Sequence, residues 1–173
     1  YTHSGVLSSS LAMDKELSRI QFKRKKIRVP KYFLQHKKNH SSIKTNLKKK
    51  KIKFPIVIKP NNEGSSLGVS ICKNFKQFKK NYKKLTNSYD KVMIEEYIPG
   101  REIQVAVING YALGAIELIP KREFYDYKAK YSSSANTKHV MPAPLSNKKY
   151  QEVLKIAKKA HLILGCRGVT RSD

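Results

Sequence analysis

Lys59-Pro60-Asn61-Asn62-Glu63-Gly64-Ser65-Ser66-Leu67-Gly68-Val69 is the stretch on which the reading of this chain turns. It follows Phe54-Pro55-Ile56-Val57-Ile58, a β-branched run bracketed by two prolines, and leads into Val69–Cys72, a second short apolar run. Two β runs joined by small and polar residues read as a hairpin with a flexible connection. A lysine at the base of a glycine-bearing loop has a specific chemical use. Backbone N–H groups of such a loop face a phosphate chain, and the ammonium reaches the same oxygens. The order excludes a Walker A loop, where the lysine follows the glycines. Taken alone, the stretch also fits an ordinary hairpin carrying a surface lysine.

The flanking sequence places this hairpin among alternating elements. Residues 14–26 read as a helix, with Leu17, Ile20 and Ile27 at helical spacing and Asp14 near the start. Residues 35–53 are polar and Lys-rich and read as loop with some helix. Asn74 caps a helix whose Phe75, Phe78, Tyr82 and Leu85 recur at three and four. Lys91–Ile98 reads as a strand closed by Pro99-Gly100, and Ile103, Val105 and Val107 alternate along the next. Asn109-Gly110 is a type I′ hairpin signal, so Tyr111–Ile119 returns antiparallel. Residues 120–148 show no clean period. A last helix runs from about 149 to Leu164 with Gly165 as its C′ residue, and the chain stops at Asp173, three residues into what reads as another strand. Helices mixed with antiparallel hairpins indicate an α+β fold in two lobes.

Composition narrows the classes. At 173 residues there is room for one ordinary domain or two small ones, and 39% hydrophobic against 28% charged residues is globular. No apolar run approaches the roughly 18 residues of a membrane span. The first residues show neither an apolar signal core nor an initiator Met. Two cysteines, Cys72 and Cys166, form no disulfide scaffold or C-x-x-C pair and read as small packing residues of a soluble protein from a reducing compartment. The net charge of +25 invites a nucleic-acid reading. Only seven of the 37 cations are Arg, however, and thirty are Lys, a point charge poorly suited to reading bases. Codon bias toward A/T-rich Lys, Ile and Asn explains the excess, which reads as solvated surface.

Two further patterns carry chemistry. Met93-Ile94-Glu95-Glu96-Tyr97-Ile98-Pro99-Gly100-Arg101-Glu102 sets Glu95 and Glu102 around a turn, where carboxylates accept from an amino group or sugar hydroxyls or serve as plain edge charge. Phe124-Tyr125-Asp126-Tyr127-Lys128-Ala129-Lys130-Tyr131 packs four aromatics into eight aperiodic residues, more than a disordered loop contains. His36 and His40 stand four apart without a Cys or carboxylate companion, so they read as solvated. His161 reads as boundary packing on the last helix.

These motifs, with Gly165-Cys166-Arg167-Gly168-Val169-Thr170-Arg171-Ser172-Asp173 and the opening Tyr1-Thr2-His3-Ser4-Gly5 through Ala12-Met13-Asp14-Lys15, resemble in order and spacing the D-alanine–D-alanine ligases. Those are ATP-grasp enzymes of peptidoglycan synthesis, in which two α+β lobes with antiparallel sheets grip ATP between them. The resemblance covers nearly the whole chain. It implies residues 1–14 as the tail of an N-terminal substrate domain, 15–97 as the central lobe and 98–173 as the C-terminal lobe, a fragment of the family's full length. Lys15 and Lys59 match lysines that contact ATP phosphates. Glu95 matches the adenine-side glutamate, the backbone of Glu96, Tyr97 and Ile98 matches the adenine hinge, and Glu102 matches the ribose-binding glutamate. Ser65 and Tyr131 match a hydrogen-bonded pair that closes loop and lid, with Lys130 the lid lysine near the γ-phosphate. Arg171 matches the arginine that stabilises the oxyanion, and Asp173 a magnesium ligand.

The implied chemistry suits these residue types. A D-alanine carboxylate takes the γ-phosphoryl group of ATP, and the amine of a second D-alanine then displaces phosphate from the acyl phosphate. Positioning and charge neutralisation serve the first step, and preorganised donors serve the second. The acyl phosphate hydrolyses readily, which calls for a lid. The tyrosine lid matches the dipeptide-forming type. The resemblance further implies ATP with Mg²⁺ (or Mn²⁺), two D-alanine substrates, a cytoplasmic homodimer, and no specific nucleic-acid or membrane partner. It implies too that the fragment alone is inactive. The rival readings are another ATP-grasp carboxylate–amine ligase, a Lys-rich nucleic-acid-binding protein and a nonfunctional gene remnant.

Overall fold

The computed structural model describes residues 1–38, 42–120 and 137–173. The lid motif, with Lys130 and Tyr131, lies outside the described residues, as does His40. The helices are α1 (Val6–Met13), α2 (Lys15–Arg24), α3 (Ile43–Lys50), α4 (Phe75–Ser88) and α5 (Asn147–Ile163). The strands are β1 (Tyr32–His36), β2 (Ile56–Pro60), β3 (Ser70–Cys72), β4 (Lys91–Glu96), β5 (Glu102–Ile108), β6 (Tyr111–Ile119), β7 (Lys138–Val140) and β8 (Val169–Ser172). They form two four-stranded sheets, ordered β1-β4-β2-β3 and β7-β6-β5-β8, with antiparallel pairing throughout. The expected α+β class holds. Residue contacts group Asp14–Glu16 with Val29–Pro99 in one compact unit, and Tyr1–Met13, Leu17–Arg28 and Gly100–Asp173 in the other.

The β1–β4 unit is built on the stripe that the α4 sequence announces. Asn74 accepts from the Gln77 backbone and starts the helix. Phe75, Phe78 and Tyr82 then stack at 5.5 and 5.3 Å, and Phe78 and Leu85 seal against Ile56, Ile58, Val92, Ile94 and Cys72. Cys72 is fully buried, takes the Asn81 amide at 3.8 Å, and burial pushes its thiol up. β1 begins in residues 32–34, to which the sequence pattern assigns no element, and runs into the stretch from 35 that reads as loop. Tyr32-Phe33-Leu34-Gln35-His36 has no clean alternation, yet Gln35 is buried, and pairing with β4 supplies what local pattern lacks. His36 therefore sits exposed on a strand opposite Lys91, and a helical i, i+4 arrangement with His40 does not apply to it.

The β5–β8 unit packs Val105, Val107 and Ala115 against Ala157 of α5. The Asn109-Gly110 turn forms as read, with φ of 48° and 80°. Arg101 clasps Glu117 through Nε and Nη2 at 2.5 and 2.7 Å and also donates to the Pro144 carbonyl. This partner holds the Glu117 carboxyl below its usual range. His161 is buried rather than at a boundary. Its Nδ1 meets the Thr170 hydroxyl at 2.8 Å, and burial holds its pKa down.

Two expectations for the N-terminal region change. The helix expected over 14–26 is present as α2, Lys15–Arg24, but α1 precedes it in what read as a tail. Leu17 and Ile20 are 47% and 39% exposed, so their helical spacing does not mark a buried stripe here. In α1 the pattern is inverted, with Val6 and Leu7 exposed and Ser8 buried. Ser8 Oγ donates to the Gly165 carbonyl at 2.7 Å, which explains a polar residue on the inner side.

Candidate functional site

The hairpin loop between β2 and β3 is held in place from several directions. The Lys15 ammonium donates to the carbonyls of Asn61, at 3.2 Å, and of Glu63. The Lys15 backbone N–H also donates to Asn61 O at 3.2 Å, and Asn61 Oδ1 accepts from Glu16 N at 3.1 Å. Asn61 is 1% exposed, so these bonds satisfy a buried amide. Its Nδ2 passes the network to Asn62, whose amide donates to Asp14. At the loop's other flank, burial and a hydrogen bond with Glu63 push the Tyr89 phenol up.

Within the loop, Ser65, Ser66 and Gly68 take φ of 51°, 59° and 69°. Left-handed serines cost of order 1 kcal/mol each and persist where the surroundings dictate them. Gly68 has a second reason to be glycine. A Cβ there would stand 2.9 Å from Pro60 Cγ and 3.0 Å from Leu85 Cδ2. The result is a braced arc of polar backbone directly beyond Lys59.

Lys59 is positioned by the sheet itself. Register pairs Lys59 with Met93 and Val57 with Glu95, which brings Glu95 within reach of Lys59 across β2 and β4. Lys59 Nζ lies 2.6 Å from Glu95 Oε1, with 16% and 7% of the two side chains exposed. A lysine so held cannot wander into solvent and presents its ammonium at the loop's base. Glu96 is committed elsewhere. It accepts from Lys31 N at 2.8 Å, approaches Lys31 Nζ at 3.6 Å, and donates its own N–H to the Lys31 carbonyl. That brace fixes the end of β4, beyond which Tyr97 is half-buried and Ile98 is 60% exposed. Sequence reading singled out Lys15, Lys59, Ser65, Glu95, Glu96, Tyr97 and Ile98, all of which lie in this unit. It missed Lys31, Asn61 and Tyr89, which act through position and backbone contacts that no motif signals.

In the β5–β8 unit, Glu102 opens β5 opposite Leu118. Arg171 lies on β8 opposite Ala106 and reaches Asp173 Oδ1 at 3.6 Å, with both side chains more than half exposed. The strand that carries Arg171 is fixed at its start. Gly168 and Asn109 exchange hydrogen bonds of 2.9 and 3.0 Å, and the Thr2 carbonyl fills the space where a Gly168 Cβ would go. Among the described residues no group of three His, Cys, Asp or Glu is arranged to hold a metal ion.

Against known proteins, the family model described as D-ala D-ala ligase C-terminus matches residues 22–173. The D-alanine–D-alanine ligase of Pelagibacter ubique (strain HTCC1062) is 56% identical over the whole of this chain and 56% of its own length. The chain thus spans about half the length of the curated relatives it matches. Of solved structures, the D-alanine–D-alanine ligase of Bacillus anthracis superposes with a TM-score of 0.84 at 30% identity, covering 99% of this chain and 55% of that one. The same enzyme complexed with ATP gives 0.81 at 24% identity, over 99% and 53%, a likeness of fold. Two antiparallel sheets with flanking helices are thus the ATP-grasp architecture that the motifs implied. With the braced loop, the Lys59–Glu95 pair and the Arg171 strand all falling within matched sequence, the chain belongs to the D-ala D-ala ligase C-terminus family.

Proposed function

We propose that this chain is the nucleotide-binding and reaction-bearing part of an enzyme that joins two D-alanines at the expense of ATP. The observation that carries the proposal is Lys59, held by Glu95 at the base of the braced Gly64–Gly68 loop. The loop's polar backbone and the ammonium suit a polyphosphate, and the related Bacillus anthracis ligase is known in complex with ATP. Lys15 works on the loop, and from there its charge also favours a phosphate chain. Glu96, Tyr97 and Ile98 serve as the adenine hinge, and Glu102 accepts from the ribose hydroxyls.

In the proposed reaction a carboxylate oxygen of the first D-alanine bonds to the γ-phosphorus as the bond to the β-phosphate oxygen breaks, releasing ADP. The second D-alanine's amine then attacks the acyl carbon. The carbonyl oxygen carries the negative charge until phosphate leaves, and the nitrogen loses its proton. Arg171 meets that oxyanion, worth several kcal/mol when such donors are preorganised. Ser65, Tyr131 and Lys130 are assigned to closing the site and excluding water. The division into lobes at 15–97 and 98–173 is part of the proposal. It follows motif order, whereas contacts group 17–28 with the β5–β8 unit. Asp173 would hold magnesium as a single carboxylate, 3.6 Å from Arg171 Nε, and among the described residues no group of three His, Cys, Asp or Glu joins it. A cytoplasmic homodimer, a place in peptidoglycan synthesis and the absence of a specific nucleic-acid partner are carried with the same proposal.

The test is calorimetry of ATP binding by the full-length enzyme. Lys59→Ala should weaken binding by about 2 kcal/mol, the scale of a lost charge-assisted contact. Unchanged affinity overturns the assignment. Phosphate release with other amino acids but not D-alanine would instead point to a different carboxylate–amine ligase.

A further inference from the structure

Gln104 stands out among the buried polar groups. It is 4% exposed, yet its Nε2 has no hydrogen-bond partner among the described residues. An amide donor left unmade in a buried position lowers stability, and folded proteins retain few. Its place in the sheet says what it faces. Ile103 and Val105, on either side of it in β5, pack into the core cluster with α5, so Gln104 shares the opposite face with Glu102 and Ala106. Arg171 is the β8 partner of Ala106. Along that face, Glu102, Gln104 and the Ala106–Arg171 pair follow at steps of about 7 Å, two residues of a strand.

Resting on the nucleotide reading above, we propose that Gln104 is a further ligand-contacting residue whose amide donates to the phosphate chain of bound ATP. The ribose end of the nucleotide belongs with Glu102 and the reacting end with Arg171. The row between them meets the intervening phosphates, whose oxygens are strong acceptors for an amide N–H. The donor unmade in the free protein is then made in the complex. Preorganisation of this kind trades stability of the empty protein for binding.

That trade gives the experiment its sign. In the full-length protein, Gln104→Met keeps volume and removes the donor. Without nucleotide it should melt at or above the wild-type temperature. It should bind ATP about tenfold more weakly or worse, on the scale of a hydrogen bond to a charged group, and bind adenosine, which has no phosphates, as well as wild type. Gln104→Glu, which sets a carboxylate against the phosphates, should lose still more ATP affinity. A lower melting temperature with unchanged ATP affinity would make Gln104 a structural residue and overturn the proposal. So would an equal loss of adenosine affinity. Lys59→Ala runs alongside. If wild type binds ATP and Lys59→Ala weakens it while both Gln104 variants bind normally, only the Gln104 assignment falls. If wild type itself does not bind ATP, the nucleotide reading falls and takes this one with it.

Discussion

Replacing Lys59 with Met while Glu95 stays in place separates the value of the pair from the value of its geometry. At the 2.6 Å contact, two unit charges attract by about 6 kcal/mol in an effective dielectric of about 20. Desolvation consumes much of this, but removing one member leaves the other's desolvation uncompensated, at about 3–5 kcal/mol. Lys59 keeps 16% of its side chain exposed, which puts the expected loss at the lower end, about 3 kcal/mol. Adding Glu95→Leu removes the buried carboxylate that lost its lysine and should restore much of that stability. The double variant is then close to wild type in folding and defective in ATP binding. Amide hydrogen exchange at Ile58 and Ile94, which face each other in register and are fully buried, reads the change inside this unit. Lys59→Met should speed exchange there roughly a hundredfold, since 1.4 kcal/mol is about a factor of ten. Unchanged exchange in the single variant, or a double variant as unstable as the two singles summed, would refute the reasoning.

Gly168→Ala puts a Cβ 1.5 Å from the Thr2 carbonyl oxygen at a φ of +62°, so residues 1–5 must lift away. The expected cost is about 2 kcal/mol or more, read as faster proteolysis of that segment and faster exchange at Val107, the partner of Thr170. Acid should weaken the β5–β8 unit in two steps. The buried His161 ring resists protonation while the unfolded chain takes up a proton near 6.5, so stability falls as the pH drops below that value. Glu117 has a depressed folded pKa, so its contribution is full above 4.5 and disappears as the pH falls through the folded value. Exchange at β5 amides across the pH range should show both steps, and His161→Asn should remove the first alone.

What the sequence announced, it announced through periodicity and punctuation. Phe75, Phe78, Tyr82 and Leu85 form the inner stripe of α4 as their spacing requires, and Asn109-Gly110 makes the β5–β6 turn. The elements that escaped lack local signals. α1 buries a serine and exposes Val6 and Leu7, because Ser8 is matched to a carbonyl 157 residues away rather than to a core. β1 exists through its pairing with β4, and its buried Gln35 spoils any alternation. In both, a distant partner decides what the neighbouring residues cannot.

The two lysines of the candidate site show the same limit at the scale of single residues. Lys59 was legible because its chemistry is local: strand, loop and charge stand within ten residues, and the acidic partner lies on the adjoining strand. Lys15 was picked out only by resemblance, and its structural task is different in kind. It grips the Asn61 and Glu63 carbonyls, 46 and 48 residues away. Every residue type offers the same carbonyl, so no sequence pattern at 61 or 63 advertises the contact. The side chains that complete the brace, Asn61 and Tyr89, look like ordinary loop and helix-end residues until the sheet brings them together. A loop that holds two left-handed serines needs such bracing, because strain of that order relaxes wherever the surroundings permit it. Replacing the lysine at position 15 would therefore loosen the loop as well as remove a charge from the proposed nucleotide site, and the two effects belong to one side chain.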